Sequence, residues 1–511
     1  MNKSAKVWMP IAALSLFAVF LIVKNIFVGL ETDEQYPVAL AYKILSGKTL
    51  LKDCFEIHQT SALFPALLLG IKGLFTDTSF DIIYIRICSA ILLGITGFCV
   101  WKVAKEKVER PLAFLIAVFF ATYLPKFYLT MDYALLQYIF LTLMMCMFIK
   151  NKELDYKEWK NTDYIIFGIL SGLLTFAYPP FIVYPLLLCI CFKKQSWKVL
   201  ISALPTAGLF LIAKGGIDVT SIKNIFSDAS HHVSLMSKVK ALPPSMWQIA
   251  VIVVFFLLIA TTAKKEKEVI NISVFFLAVT VILTIAEAVI KEHKAGYNGS
   301  WLLILAILLI FSESLPVYVT LGASIPIMQF LSGNQTGFLF ARYIIPFLLP
   351  LLLQKDLPKA IRQKTVYTII LLSLIPLVNT TANFQNETES LVKMQTGPAK
   401  GIYIDKMTDE KVKEVFDYYK DKDPDKTLLV MDSSAILYTQ TPMKENCPNL
   451  IDTPSFDDKF ISYYKDNGYP DYIYFVPAKN AVFISDSFKE LLKNQYEVTD
   501  TLGYGYCLSR R

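Results

Sequence analysis

The chain has 511 residues, 54% of them hydrophobic and 14% aromatic, with mean hydropathy +0.47 and a formal net charge of +7. Such an apolar excess belongs to membrane proteins rather than to soluble domains. The positive charge lies in short clusters between apolar runs, with no basic module and no aromatic RNA-binding motif, so it is no argument for a nucleic-acid partner.

A helix needs roughly 20 mainly apolar residues to cross a bilayer. The first run, "VWMPIAALSLFAVFLIVKNIFVGL" (7–30), meets that length. It lacks a small-residue cleavage site and more such runs follow, so it reads as a span rather than a signal peptide. Further apolar segments lie near 82–101, 111–124, 133–149, 162–177, 180–192, 199–213, 246–262, 268–290, 300–312, 316–332, 339–353 and 365–382, giving about thirteen spans. Two of the short ones, 162–177 and 180–192, meet at "YPP" (Tyr178–Pro180). Its prolines lack N–H groups, which predicts a tight turn or re-entrant bend in place of a continuous helix. The connection 215–245 is long enough to carry an interfacial helix over whatever lies beneath it.

Orientation follows from Lys and Arg in the short loops. With the N-terminus inside, "WKVAKEKVER", "KNKELDYKEWK", "KKQSWK", "KKEKE" and "QKDLPKAIRQK" fall on alternate, inner connections, while "SESLP" is an inner connection without a basic residue. The stretch after the first span and the polar C-terminal part then face outward. Two units emerge, a transmembrane domain over 1–383 and an extracytoplasmic domain over 384–511 that is long enough to bury its own core. In the latter, helical "TDEKVKEVFDYYK" (408–420) and "SDSFKELLKNQY" (485–496) alternate with strand-like "KTLLVMD" and "PDYIYFVP" (470–477), which predicts a small α/β domain. It contains no phosphate-cradling glycine loop, nucleophile elbow or metal-spaced histidines, so support or acceptor recognition is expected of it rather than chemistry. Of eight cysteines, Cys189 and Cys191 sit in an apolar span, and a Cys447–Cys507 disulfide is one open option.

The stretch "GLETDEQYPVALAYKILSGKTLLKDCFEIHQTSALFPALL" (29–68) crowds Glu31, Asp33, Glu34, Asp53, Glu56 and His58 against the mouth of the first span. Thr32–Gln35 has the form of a helix capping box, which accounts for one or two of these acids. Asp33 is explained less well, because an acid at a membrane boundary costs desolvation unless it has a partner or a task. Asp132 opens the fourth span at the same surface; a helix-capping role and a shared polar cavity are both open for it. All four histidines, His58, His231, His232 and His293, fall in outer loops, where solvated loop residues are the plain alternative to ligands. Basic candidates on that side are Lys126, Lys214, Lys291, Lys294 and Arg342, with Arg86 near the outer end of the second span. Arginine in an apolar span is costly without an anionic partner, and a lipid phosphate would serve; snorkelling and packing are the alternatives.

Here a resemblance enters. "ETDEQYPVALAYKILSGKTLLKDCFEIHQTSALFPALLLGIKGLF" followed by "IYIRICSAILLG" resembles the first outer loop and second span of the GT-C glycosyltransferases, in the branch of the lipid A aminoarabinose transferases and the protein O-mannosyltransferases. Asp33–Glu34 match its acidic pair and Gly47 its glycine, while "HQTSALFPALL" departs from its Pro-Pro form. Asp132 matches its second acidic position, and "ARYIIPFLLPLLL" resembles its late span, which places Arg342 and Tyr343. The resemblance implies a polytopic α-helical membrane protein, GT-C-like, in the bacterial cytoplasmic membrane. It implies transfer of a sugar, with inversion, from a polyprenyl-phosphate donor to a glycan, lipid or protein acceptor of the cell envelope. Asp33 would be the general base with Glu34 as alternate, and Asp132 would orient acceptor or base. Arg342, Lys126 and Arg86 would hold the donor phosphate, and His58, Tyr343 and His232 would line the cleft. No cofactor is implied with certainty; a divalent metal stays open. A transporter or flippase of lipid-linked sugars is the alternative, and it would place its ionisable groups near mid-membrane and show repeated halves. A purely scaffolding protein is disfavoured by the clustered acids.

Overall fold

The computed structural model describes the chain apart from residues 1–2, 51, 55–58, 127, 152–158, 215–245, 264, 291–297, 313–319, 321–343, 387–390, 433, 451–454, 457 and 478–482. The connection 215–245 and the candidates His58, His232, Arg342 and Tyr343 lie outside the described residues, as do Glu56, His231, Lys291, His293 and Lys294.

Apolar runs become helices in the order in which they were read. α1 (Lys3–Phe27) is followed by α2 (Thr32–Leu45), α3 (Leu63–Gly73), α4 (Asp81–Ala104), α5 (Arg110–Thr122) and α6 (Tyr133–Lys150). α2 ends at Gly47, whose φ of +92° is the left-handed geometry that closes a helix and that a side chain would strain. α5 carries Pro111 in its first turn, at a position where a missing N–H costs nothing. α7 (Asn161–Ala177) stops where the prolines demand. Tyr178 is extended, Pro179–Ile182 form a 3₁₀ turn, and α8 (Val183–Cys191) restarts the chain. α9 (Ser196–Lys214), α10 (Met246–Thr262), α11 (Glu266–Ile290), α12 (Asn298–Ile310), α13 (Leu348–Leu353) and α14 (Lys359–Asn386) complete the helical part.

Four of these helices are long and apolar enough to cross a membrane: Trp8–Phe27, Asp81–Ala104, Tyr133–Lys150 and Glu266–Ile285. The count of about thirteen is not reached by that measure among the described residues. Several runs instead form shorter apolar helices such as Arg110–Thr122, Ser300–Ile310 and Ile344–Leu353. At 1.5 Å per residue a 13-residue helix covers only about 20 Å of a roughly 30 Å hydrocarbon core. Position in the bundle differs sharply: the α6 window is 78% buried within the protein and that of α1 only 28%. α6 is therefore a central helix and α1 a peripheral one.

The C-terminal part is α/β, as predicted. β1 (Leu391–Lys393) pairs antiparallel with β2 (Tyr403–Asp405), and α15 (Lys406–Tyr419) follows. Then come β3 (Thr427–Met431), β4 (Lys444–Glu445), β5 (Ser455–Phe456), α16 (Asp458–Asn467), β6 (Tyr472–Phe475), β7 (Phe483–Ile484), α17 (Asp486–Gln495), β8 (Tyr496–Thr501) and β9 (Tyr506–Arg510). The five-stranded sheet runs β4-β3-β6-β9-β8, with β3 parallel to β4 and β6, and β9 antiparallel to β6 and β8. β3 is apolar and buried from Leu428 to Met431, as a parallel strand covered on both faces should be. The disulfide option is not taken: Cys447 and Cys507 are both free and buried. Cys447 instead donates to the Asn449 carbonyl at 2.7 Å, and burial pushes its thiol up to about 12.

This α/β part is seated on the ends of α1, α2 and α4. Gly29 donates to Tyr403 O at 2.9 Å, Ile82 to Pro398 O at 3.1 Å, and Ile436 to Gln35 Oε1 at 3.1 Å. Lys43, 1% exposed, reaches from α2 to the Cys447 carbonyl and lies 3.7 Å from Glu445. A buried ammonium needs such partners, so the contact orders both sides of the seam.

Candidate functional site

The N-terminus of α2 meets the start of α4 and the segment from α5 to α6 at one end of the helices, and the acids gather there. Glu31 stands at the cap position of α2, its side chain not bonded to the first-turn amides, and Thr32 is already helical. The cap position therefore falls one residue before the expected Thr32–Gln35 box, and Gln35 is turned to the C-terminal part. Asp33 and Glu34 occupy the first turn, where the helix dipole favours negative charge.

These neighbours have different partners. Glu34 is 1% exposed and forms a two-pronged pair with Arg86, Nε–Oε1 2.7 Å and Nη2–Oε2 2.6 Å. The same guanidinium donates to Ile26 O at 3.0 Å and Gly29 O at 2.5 Å, binding the end of α1 and the turn into α2 to α4. Arg86, expected at the donor phosphate, is thus buried and engaged on Glu34 and two carbonyls. Glu34, the alternate base, is held by a charge-assisted fork and shielded from solvent.

Asp33 points the other way, and its side chain is 51% exposed. Its Oδ2 lies 3.1 Å from Lys126 Nζ, in the segment between α5 and α6. The same ammonium is 3.3 Å from Asp132 Oδ2. Asp132 is 2% exposed; Oδ1 caps α6 by accepting from Leu135 N at 2.9 Å, and Oδ2 accepts from Tyr128 Oη at 3.0 Å. Asp132 thus caps its helix and joins a polar cluster. Lys126 also sits over the Tyr133 ring at 4.3 Å, a cation–π contact. Burial works against the Lys126 charge, but Tyr128, Tyr133, Asp132 and Asp33 outweigh it and hold its pKa well above the ordinary lysine value.

The structure thus brings together Asp33, Lys126 and Asp132, three of the expected residues, and sets Glu34 and Arg86 beside them as a separate pair. Tyr128 and Tyr133 were missed. Their signal was present in "KFYLTMDY", where an aromatic stands four residues before Asp132 and another directly after it. A further polar knot at the same end was also missed: Asp81 lies 2.5 Å from Lys72 and accepts from Tyr42 Oη. Asp53, from the opening acid-rich stretch, closes its own loop by accepting from Thr49 N at 2.7 Å. Among the described residues no three His, Cys, Asp or Glu side chains form a metal-holding group. Chemically, the array offers one water-facing carboxylate able to take a proton, fixed by an ammonium that can face an anion.

No family model and no curated relative matches the chain. Among solved structures it is similar to ArnT from Cupriavidus metallidurans bound to undecaprenyl phosphate, at 11% identity and TM-score 0.42, covering 99% of this chain and 98% of that one. It is also similar to the oligosaccharyltransferase of Archaeoglobus fulgidus in complex with Zn and sulfate, at 10% identity and TM-score 0.43, over 91% of this chain and 68% of that one. At such distance the likeness carries no weight on chemistry, which rests on the charges just described.

Proposed function

We propose that the chain is an integral-membrane glycosyltransferase that moves a sugar from a polyprenyl-phosphate donor to an acceptor hydroxyl of the cell envelope, at the outer face of the bacterial cytoplasmic membrane. One observation carries this reading: Asp33 is half exposed at the end of an apolar helical bundle, and Lys126 ties it to the buried Asp132. A lipid-linked donor keeps its tail in the bilayer and presents its sugar at the boundary, where this array lies. Asp33 takes the proton of the acceptor hydroxyl as that oxygen bonds to the anomeric carbon. The bond from that carbon to the phosphate oxygen breaks with inversion, and the electron pair leaves on the lipid phosphate. Lys126 faces the departing anion, Asp132 and Tyr128 fix Lys126 in place, and Arg342 is a second phosphate ligand in this reading. The ionisable groups gather at one end of the helices rather than at mid-length, which does not favour a transporter.

Orientation has its own check. A cysteine near Lys422, with Cys447 and Cys507 replaced, should react with an impermeant thiol reagent in intact cells, and one near Lys265 should not. Reversed labelling would put the array on the inner face and end the envelope-acceptor reading. For the activity, purified protein given a polyprenyl-phosphate sugar should release polyprenyl phosphate in step with acceptor glycosylation. Translocation of intact donor across a vesicle without its cleavage would contradict it.

A further inference from the structure

Apart from the Asp33 array, the helices leave a groove whose mouth lies at the opposite end. α1, α4 and α5 enclose a groove of about 760 Å³. It exists because the facing residues are small. A Cβ at Gly97 would fall 2.5 Å from that of Ala121, so α4 and α5 touch there, and beside that contact Gly94 has nothing within 4 Å of where its Cβ would be. Trp8, Phe98 and Phe114 form its walls and are themselves exposed, at 38%, 52% and 36%. Along α5 the lining runs from Arg110 to Ala121, roughly 16 Å at 1.5 Å per residue.

The lip is basic. Lys105 and Arg110 both line the groove and are exposed, and Lys105 is steered over the Trp101 ring at 4.6 Å. Lys102 stands over Phe98 at 4.7 Å, and Lys107 lies in the same turn. Of the two acids in that turn, Glu109 is engaged by Lys359, which leaves Glu106 against four cations. An apolar channel of acyl-chain length under a cationic mouth has the complementarity of an anionic lipid.

We propose that this groove binds one anionic glycerophospholipid, with an acyl chain beside Gly94 and Ala117 and the headgroup phosphate between Lys105 and Arg110. The site is separate from the Asp33 array and does not depend on the transfer chemistry. Bound there, the lipid would fill the gap between peripheral α1 and the α4–α5 pair.

Native mass spectrometry of the full-length protein, with phosphatidylglycerol and phosphatidylcholine of the same chains in competition, tests it. The wild type should retain one phosphatidylglycerol in preference to phosphatidylcholine. Replacing both cations, Lys105→Ala with Arg110→Ala, should lower that preference roughly 30-fold, from about a factor of five per charge. A Cβ at Gly94 has nothing within 4 Å, so Gly94→Phe puts its ring into the groove and should remove retention of both lipids with the lip intact. No preference in the wild type would overturn the proposal without any variant. So would unchanged binding in either variant, retention of polyprenyl phosphate in place of phosphatidylglycerol, or a dimer that excludes lipid from this face.

Discussion

Asp33 and Glu34 are adjacent, both acidic and both in the first turn of α2, yet their environments are opposite. Glu34 is sealed under Arg86, while Asp33 shares Lys126 with Asp132 and keeps half its surface open. A buried fork with every oxygen matched holds elements together, whereas a carboxylate that is fixed on one side and free on the other can exchange a proton. Helix geometry separates the two, since successive residues stand about 100° apart around the axis. One points into the bundle and the next to its mouth.

The largest effect expected from breaking this contrast is on folding. Glu34→Gln strands a buried guanidinium, which typically costs about 3–5 kcal/mol. Thermal unfolding in detergent should show that loss, while Asp33→Asn should leave the midpoint nearly unchanged. Equal midpoints for the two variants would erase the division of labour.

Lys126 belongs to the open side. Lys126→Met should lower turnover by about 10²–10³-fold, the usual cost of losing one donor to a developing anion. Its folded pKa is raised, so its contribution to stability is fully present below lysine's ordinary value of about 10.4 and is lost only as pH rises through the higher folded value. Rate profiles should accordingly show no alkaline limb owed to Lys126 below about pH 10. Such a limb, present in wild type and absent in Lys126→Arg, would contradict this. The smallest effect is Tyr128→Phe, which removes one hydrogen bond to Asp132 and should cost about 1.5–3 kcal/mol of stability, with α6 still capped through Leu135. A loss as large as that of Glu34→Gln would mean that the Asp132 side is as structural as the Arg86 side.

Local chemistry was legible in the sequence, and long-range pairing was not. The break at Tyr178–Pro180 followed from prolines that cannot donate, and the 408–420 helix and the strand at Thr427–Met431 followed from periodicity. Asp33, Asp132 and Lys126 could be drawn together because hydropathy placed them at one surface. The Glu34–Arg86 fork spans 52 residues, and nothing local distinguishes an arginine that binds a carboxylate from one that awaits a phosphate. The capping-box pattern misled because Gln35 answers to Ile436, 401 residues away. Short helices such as Arg110–Thr122 inflate a span count because burial against neighbours makes a helix apolar whatever its length.

The most direct measurement is transfer by Asp33→Asn. Asparagine keeps the volume and remains a hydrogen-bonding partner for Lys126, but it cannot take the acceptor's proton. Turnover should fall about 10²–10⁴-fold, the usual worth of a general base, with donor-lipid binding and membrane insertion retained. Near-normal turnover in Asp33→Asn would contradict the assignment and leave the Asp33–Lys126 contact as one more structural pair.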